Sequence, residues 1–107
     1  MGKTIEHGRF EWDEEKNEVN RKKHGFGFEE ILDMFDDPFF FEIYDRFHSS
    51  VDEDRYIGIG KAQGVLIVTT CYTERTGRIR LISSRRATPK EETMYYGEQK
   101  NFLGQED

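Results

Sequence analysis

Residues 21–25, Arg-Lys-Lys-His-Gly, set three cations directly before a histidine and a glycine. An imidazole beside ammonium groups is held neutral at physiological pH and can take a proton from a hydroxyl. The run also reads as helix punctuation, because cations complement the negative end of a helix and glycine closes its last turn. Punctuation does not account for what precedes it. At 100° per residue, Lys16, Asn17, Asn20, Lys23 and His24 share an arc of roughly 120°. Only Val19 is apolar between Glu14 and His24. Amphipathic helices normally bury an apolar stripe; this one groups amides, lysines and a histidine.

A second concentration lies at residues 72–86, where Arg75, Arg78, Arg80, Arg85 and Arg86 fall close together. The planar guanidinium fork matches phosphate oxygens, which points to anion binding. The competing reading is edge protection plus pairing with the chain's own carboxylates. Alternation sets Arg78 and Arg80 on one face of a strand and Arg85 on the other. Arg80 and Arg85 can therefore serve one site only if a bulge or the strand end lies between them. Upstream, Asp52-Glu53-Asp54-Arg55 offers a carboxylate that could orient an arginine or accept a proton, or it is a solvated turn. His7, His24 and His48 have no metal-ligand spacing, Cys71 is the single cysteine, and Gly58-Ile59-Gly60 is too short for a phosphate loop.

The elements that must position these groups follow from local patterns. Phe10–Trp12 reads as a strand or anchor, with residues 1–9 a loose tail. Asp13 is a helix N-cap, and that helix ends at Gly25. Phe28, Ile31, Leu32 and Phe35 recur at helical spacing, predicting a second helix stopped by Asp36-Asp37-Pro38. Four strands are predicted over Phe39–Asp45, Arg55–Gly60, Val65–Glu74 and Arg78–Arg85. The short Gln63-Gly64 and Thr76-Gly77 turns imply an antiparallel meander. Thr88-Pro89-Lys90-Glu91 is a capping box opening a last helix. The predicted order is β-α-α-β-β-β-β-α in an α+β fold.

The chain has 107 residues, 35% hydrophobic and 36% charged, which bounds it to one domain with a lean, aromatic-rich core. Residues 1–20 hold no apolar run, and one cysteine forms no internal disulfide, so a soluble cytoplasmic protein is expected. The net charge of −6 is unevenly spread. Residues 26–54 carry ten carboxylates against Arg46 alone, and residues 55–90 carry eight bases against Glu74 alone. The chain either attracts an anion to its basic part or pairs its charges internally.

Phe10–Glu30 (FEWDEEKNEVNRKKHGFGFEE), 52–60 (DEDRYIGIG) and 72–96 (YTERTGRIRLISSRRATPKEETMYY) resemble the BrnT family of bacterial toxins. The shared pattern is Trp-Asp, Lys-Asn, Asn and Lys-His-Gly, then a Glu-Arg-Tyr, a Thr-Glu-Arg and an Arg-x-Ile-Ser-x-Arg strand. Here Asp54 separates Glu53 from Arg55, and Ser84 stands where alanine is usual. The resemblance covers residues 10–97 as one toxin domain, with 98–107 as helix end and tail. It implies a RelE-like fold: two N-terminal helices packed on an antiparallel four-stranded sheet, with a C-terminal helix. It implies a ribonuclease that needs no metal or other cofactor and inhibits translation. It also implies a BrnA-like antitoxin partner, a heterotetramer with it, and operator DNA bound only through the antitoxin.

On this reading the ribose 2′-oxygen attacks the adjacent phosphate. His24 is the general base or acid, Lys23 lies at the phosphate, and Arg75, Arg80 and Arg85 hold and stabilise the scissile group. Glu53 is a base or the orienter of an arginine. Lys16, Asn17, Asn20, Arg55, Arg78 and Tyr95 are expected to bind the RNA, although a core position for the Tyr95 ring is the competing reading. The alternative from another class is a non-catalytic module or co-repressor whose basic face receives an acidic partner.

Overall fold

Both helices begin where their capping residues stand. The structure, a computed structural model, describes residues 2–104, without the side chains of 102–104; residues 105–107, the end of the expected tail, lie outside it. Asp13 caps α1 (Glu14–His24), its carboxylate accepting from the Lys16 N–H at 3.0 Å, and Gly25 closes the helix at φ 87°. Helix α2 (Pro89–Gly104) opens with the expected box: the Glu91 N–H donates to Thr88 Oγ1 at 3.2 Å and the Thr88 N–H to Glu91 Oε1 at 2.8 Å. Among the described residues, no helix is long and apolar enough to cross a membrane.

The sheet corrects the sequence-based expectation. It has six strands, β1 (Thr4–His7), β2 (Phe10–Asp13), β3 (Phe41–Tyr44), β4 (Arg55–Ala62), β5 (Leu66–Arg75) and β6 (Arg78–Arg86). Their spatial order is β1-β2-β6-β5-β4-β3. The meander β3–β6 is antiparallel, and its Gln63-Gly64 and Thr76-Gly77 turns lie at positive φ. A four-stranded antiparallel sheet is nevertheless wrong, because β2 runs parallel to β6, with Glu11 opposite Arg80, and β1 pairs with β2 across a turn at Gly8. The expected tail thus contains a strand. Only Ile5 is apolar in β1, and a parallel pairing of segments distant in sequence leaves no local pattern to read.

The second N-terminal helix is also corrected. Residues 28–36 form two successive 3-10 turns, Phe28–Glu30 and Leu32–Asp36, with bonds such as Ile31 N–H to Phe28 carbonyl at 3.2 Å and Asp37 N–H to Met34 carbonyl at 3.2 Å. The fully buried residues are accordingly Phe28, Ile31 and Met34, three apart, while Leu32 and Phe35 are only partly covered. Gly58 and Gly60 admit this segment: a Cβ at Gly60 would stand 2.8 Å from the Met34 carbonyl, and one at Gly58 2.6 Å from the Phe40 ring.

Two cores result. Under the 3-10 turns lie Trp12, Val68, Tyr72 and Leu81. On the opposite face, reached by alternation along β4 and β5, α2 packs Tyr95 onto Ile59, Ile67 and Ala87. Helix α1 lies against the outer edge of β6, where pairing with β2 ends at Leu81, and the Asn20 carboxamide oxygen accepts the Ser84 N–H at 2.9 Å.

Candidate functional site

A bulge in β6 decides which arginines share a face. Tyr72 stands opposite Leu81, but Cys71 stands opposite Ser83, so Ile82 is the extra residue. Beyond it the alternation is reset. Arg80 is opposite Thr73 and Arg85 opposite Thr69, two residues on the same face of β5. Arg78, Arg80, Ser83 and Arg85 therefore all rise from one side of the sheet.

Around Ser83 and Ile82 this side forms a groove. One stretch, of about 550 Å³, lies between α1 and β6 and is lined by Lys16, Lys23, His24 and Ser83. The other, of about 270 Å³, continues over Cys71 to Arg55, Arg85, Asp45 and His48. The two share Ile82 and Ser83. Lys16 and Lys23 make no ion pair among the described residues, and the Asp13 and Glu15 carboxylates line the same recess. His24 is half-buried, and its pKa lies below the ordinary imidazole value, first because of burial and then because of the Lys23 and Arg85 charges. At neutral pH it is an unprotonated base. Among the described residues, no three His, Cys, Asp or Glu side chains gather as a metal-ligand set.

Three further cations are fixed by carboxylates. Arg85 makes a bidentate pair with Glu91, at 2.7 and 2.9 Å, and Glu91 also accepts from Thr69 Oγ1 at 3.0 Å. This pairing, the leading cause, draws the Glu91 carboxyl down to about 2 and raises the Arg85 guanidinium. Glu53 takes Arg55 Nε at 2.8 Å and Arg75 Nη2 at 3.0 Å, and these bonds lower its pKa. Its geometry is that of an orienting anion.

Five of the expected site residues are engaged by other groups of the protein instead. Asn17 accepts the Phe28 N–H at 2.7 Å and donates to Glu29 at 2.9 Å, lashing α1 to the 3-10 turns. Asn20 holds Ser84 and the Phe26 carbonyl. Arg78 pairs with Glu6 at 2.8 Å, and Arg80 with Glu11 at 2.6 Å, their side chains 16% and 6% exposed in the latter pair. Tyr95 is 1% exposed and donates to Asp37 Oδ2 at 2.6 Å, so its ring fills the core and offers no stacking surface. The polar arc of α1 is thus divided: its amides are structural and its lysines and histidine line the groove.

Sequence reasoning passed over Asp45, His48 and Glu91. Asp45 is buried, and its Oδ2 meets His48 Nδ1 at 2.7 Å. The Asp-x-x-His spacing was the available signal, weak because the pair sits in a loop. Glu91 was read only as a cap, although one carboxylate both caps α2 and fixes Arg85.

Residues 12–91 match the family described as "Ribonuclease toxin, BrnT, of type II toxin-antitoxin system". Among solved structures, the crystal structure of the Brucella abortus ribonuclease toxin BrnT is similar over 72% of this chain and 92% of that chain, with 25% sequence identity and a TM-score of 0.55. No curated protein matches.

Proposed function

Because the chain belongs to the BrnT family of ribonuclease toxins of type II toxin–antitoxin systems, we propose that it is an endoribonuclease that works without a metal and inhibits translation. Its toxin role and an antitoxin partner come with the family. The observation that carries the catalytic reading is the groove in which a neutral imidazole stands among Lys16, Lys23 and the fixed Arg85. His24 takes the proton of the ribose 2′-hydroxyl as that oxygen attacks the adjacent phosphorus. Charge then accumulates on the non-bridging oxygens, where Lys23 and Arg85 stabilise it. The bond to the 5′-oxygen breaks, leaving a 2′,3′-cyclic phosphate and a 5′-hydroxyl. Arg55 and Arg75, held by Glu53, attract the flanking backbone, and Lys16 does so beside α1. Asn17, Asn20, Arg78 and Arg80 act by holding these elements in place.

The partner we propose is a BrnA-like antitoxin in a heterotetramer, through which the complex binds operator DNA, in the cytoplasm. The test is incubation of purified protein with 5′-labelled RNA in EDTA, wild type beside His24→Ala. Wild type should release cyclic-phosphate ends, and the variant should be slower by roughly 10²–10⁴-fold. Equal cleavage by both would remove His24 from the site. No cleavage by wild type would favour a non-catalytic module or co-repressor that docks the antitoxin.

A further inference from the structure

Transfer of the 2′-proton is half of the chemistry, since the departing 5′-oxygen must gain a proton. We propose that His48, oriented by Asp45, supplies that proton from the end of the groove opposite His24. This rests on the ribonuclease reading above. Three observations place His48 there. The recess beside His24 and the recess beside His48 adjoin at Ser83 and Ile82, which line both. Arg85 is near both histidines: it lines the recess beside His48, and its charge acts on His24. A phosphate held at Arg85 therefore lies near both imidazoles. Finally, His48 is not a loose surface group. Its Nδ1 is 2.7 Å from Asp45 Oδ2, and the same carboxylate accepts the backbone N–H groups of Phe47 and His48 through Oδ1 at 3.2 and 3.3 Å.

The carboxylate fixes the tautomer. Nδ1 carries its hydrogen toward Asp45, so Nε2 is the nitrogen that meets substrate. In the reacting state the imidazolium gives its Nε2 proton to the 5′-oxygen as the phosphorus–oxygen bond breaks. His24 has by then taken the 2′-proton, and the two histidines exchange their protons with solvent before the next turnover. Asp45 is a positioning residue.

A general acid is diagnosed by a leaving group that does not need it. The probe is a single-stranded RNA with one linkage whose 5′-bridging oxygen is replaced by sulfur, which departs unprotonated. The variant is His48→Asn, whose amide can still donate to Asp45 and hold the loop. His48 is 69% exposed, so the substitution opens no core. On ordinary RNA, His48→Asn should be slower than wild type by on the order of 10²-fold or more. On the sulfur linkage it should match wild type, while His24→Ala stays slow on both. A wild-type rate for His48→Asn on ordinary RNA overturns the proposal, as does an equal loss on both linkages. If wild type cleaves neither linkage, the ribonuclease reading fails and takes this assignment with it.

Discussion

The two ends of β6 carry the same residue type on the same face and put it to different uses. At the start of the strand, Arg78 and Arg80 turn to Glu6 and Glu11 and tie down the β1–β2 hairpin. Beyond the bulge, Arg85 turns to Glu91 yet keeps much of its guanidinium exposed in the groove. The difference lies in what stands beside the strand. Where β2 pairs with β6, Glu11 meets Arg80 in a nearly closed environment, while Glu6 meets Arg78 nearer the surface. Where β2 ends, α1 replaces it, and the space between helix and sheet is the groove. An ion pair buried on both sides is scaffolding; one held from a single side leaves donors for a ligand.

Substitution at the two ends should separate these uses. Arg85→Met should lower RNA cleavage by roughly 10²–10³-fold, the usual loss for one donor at a developing anion. Its melting temperature should change far less than that of Arg80→Met, which leaves Glu11 buried without its partner. Breaking such a pair costs roughly 3 kcal/mol, or roughly 10–20 °C in a domain of this size. Adding Glu11→Leu to Arg80→Met should recover most of that loss, because an apolar pair has no charge to strand. Circular-dichroism melts beside cleavage assays below the transition decide the matter. An Arg80→Met protein that melts like wild type but cannot cleave would place Arg80 at the phosphate and erase the contrast.

How much of this was legible follows the range of each signal. Asp13, Gly25 and the Thr88–Glu91 box act within one helical turn, and their helices begin and end as expected. The meander turns are equally local. The parallel β2–β6 pair is not, and the second helix failed because Phe28, Ile31 and Leu32 satisfy spacings of three and four alike. At the site, residue types located the right segments but not the direction of their side chains. Asn17 and Asn20 share the arc of Lys16 and Lys23, yet backbone groups of Phe28 and Ser84 claim them. A bulge needed for Arg80 and Arg85 to share a face was a stated condition; that it falls at Ile82 depends on β5, which β6 alone cannot reveal.

Acid titration probes the end of β6 where a carboxylate does two jobs. The Glu91 carboxyl sits at about 2 in the folded protein against an ordinary 4.5. Above the unfolded value the chain gains the full stabilisation, on the order of 3 kcal/mol at 1.36 kcal/mol per unit. As pH falls, the unfolded chain takes up the proton first, and the gain is gone once pH passes the folded value of about 2. Urea melts should therefore show wild type more stable than Glu91→Gln at pH 7, with the gap closing between about pH 4.5 and 2. A gap independent of pH would mean that the Arg85–Glu91 pair contributes shape and not charge.

The smallest effect tests the Tyr95 position. If its ring were a platform for a base, Tyr95→Phe would keep the stacking and Tyr95→Ala would lose cleavage through weaker binding. The core position predicts otherwise. Tyr95→Phe removes the hydroxyl bond to Asp37, whose Oδ2 keeps the Lys61 N–H at 2.7 Å, so no buried acceptor is left bare. A hydrogen bond to a charged group contributes about 1.5 kcal/mol, equivalent to a fall of roughly 6–12 °C in Tm. Cleavage per folded molecule should stay at the wild-type level. Because α2 begins at the residues that fix Arg85, a drop in kcat with unchanged stability would show that Tyr95 sets the helix that positions this arginine, and the core under α2 would then be coupled to the groove on the same face.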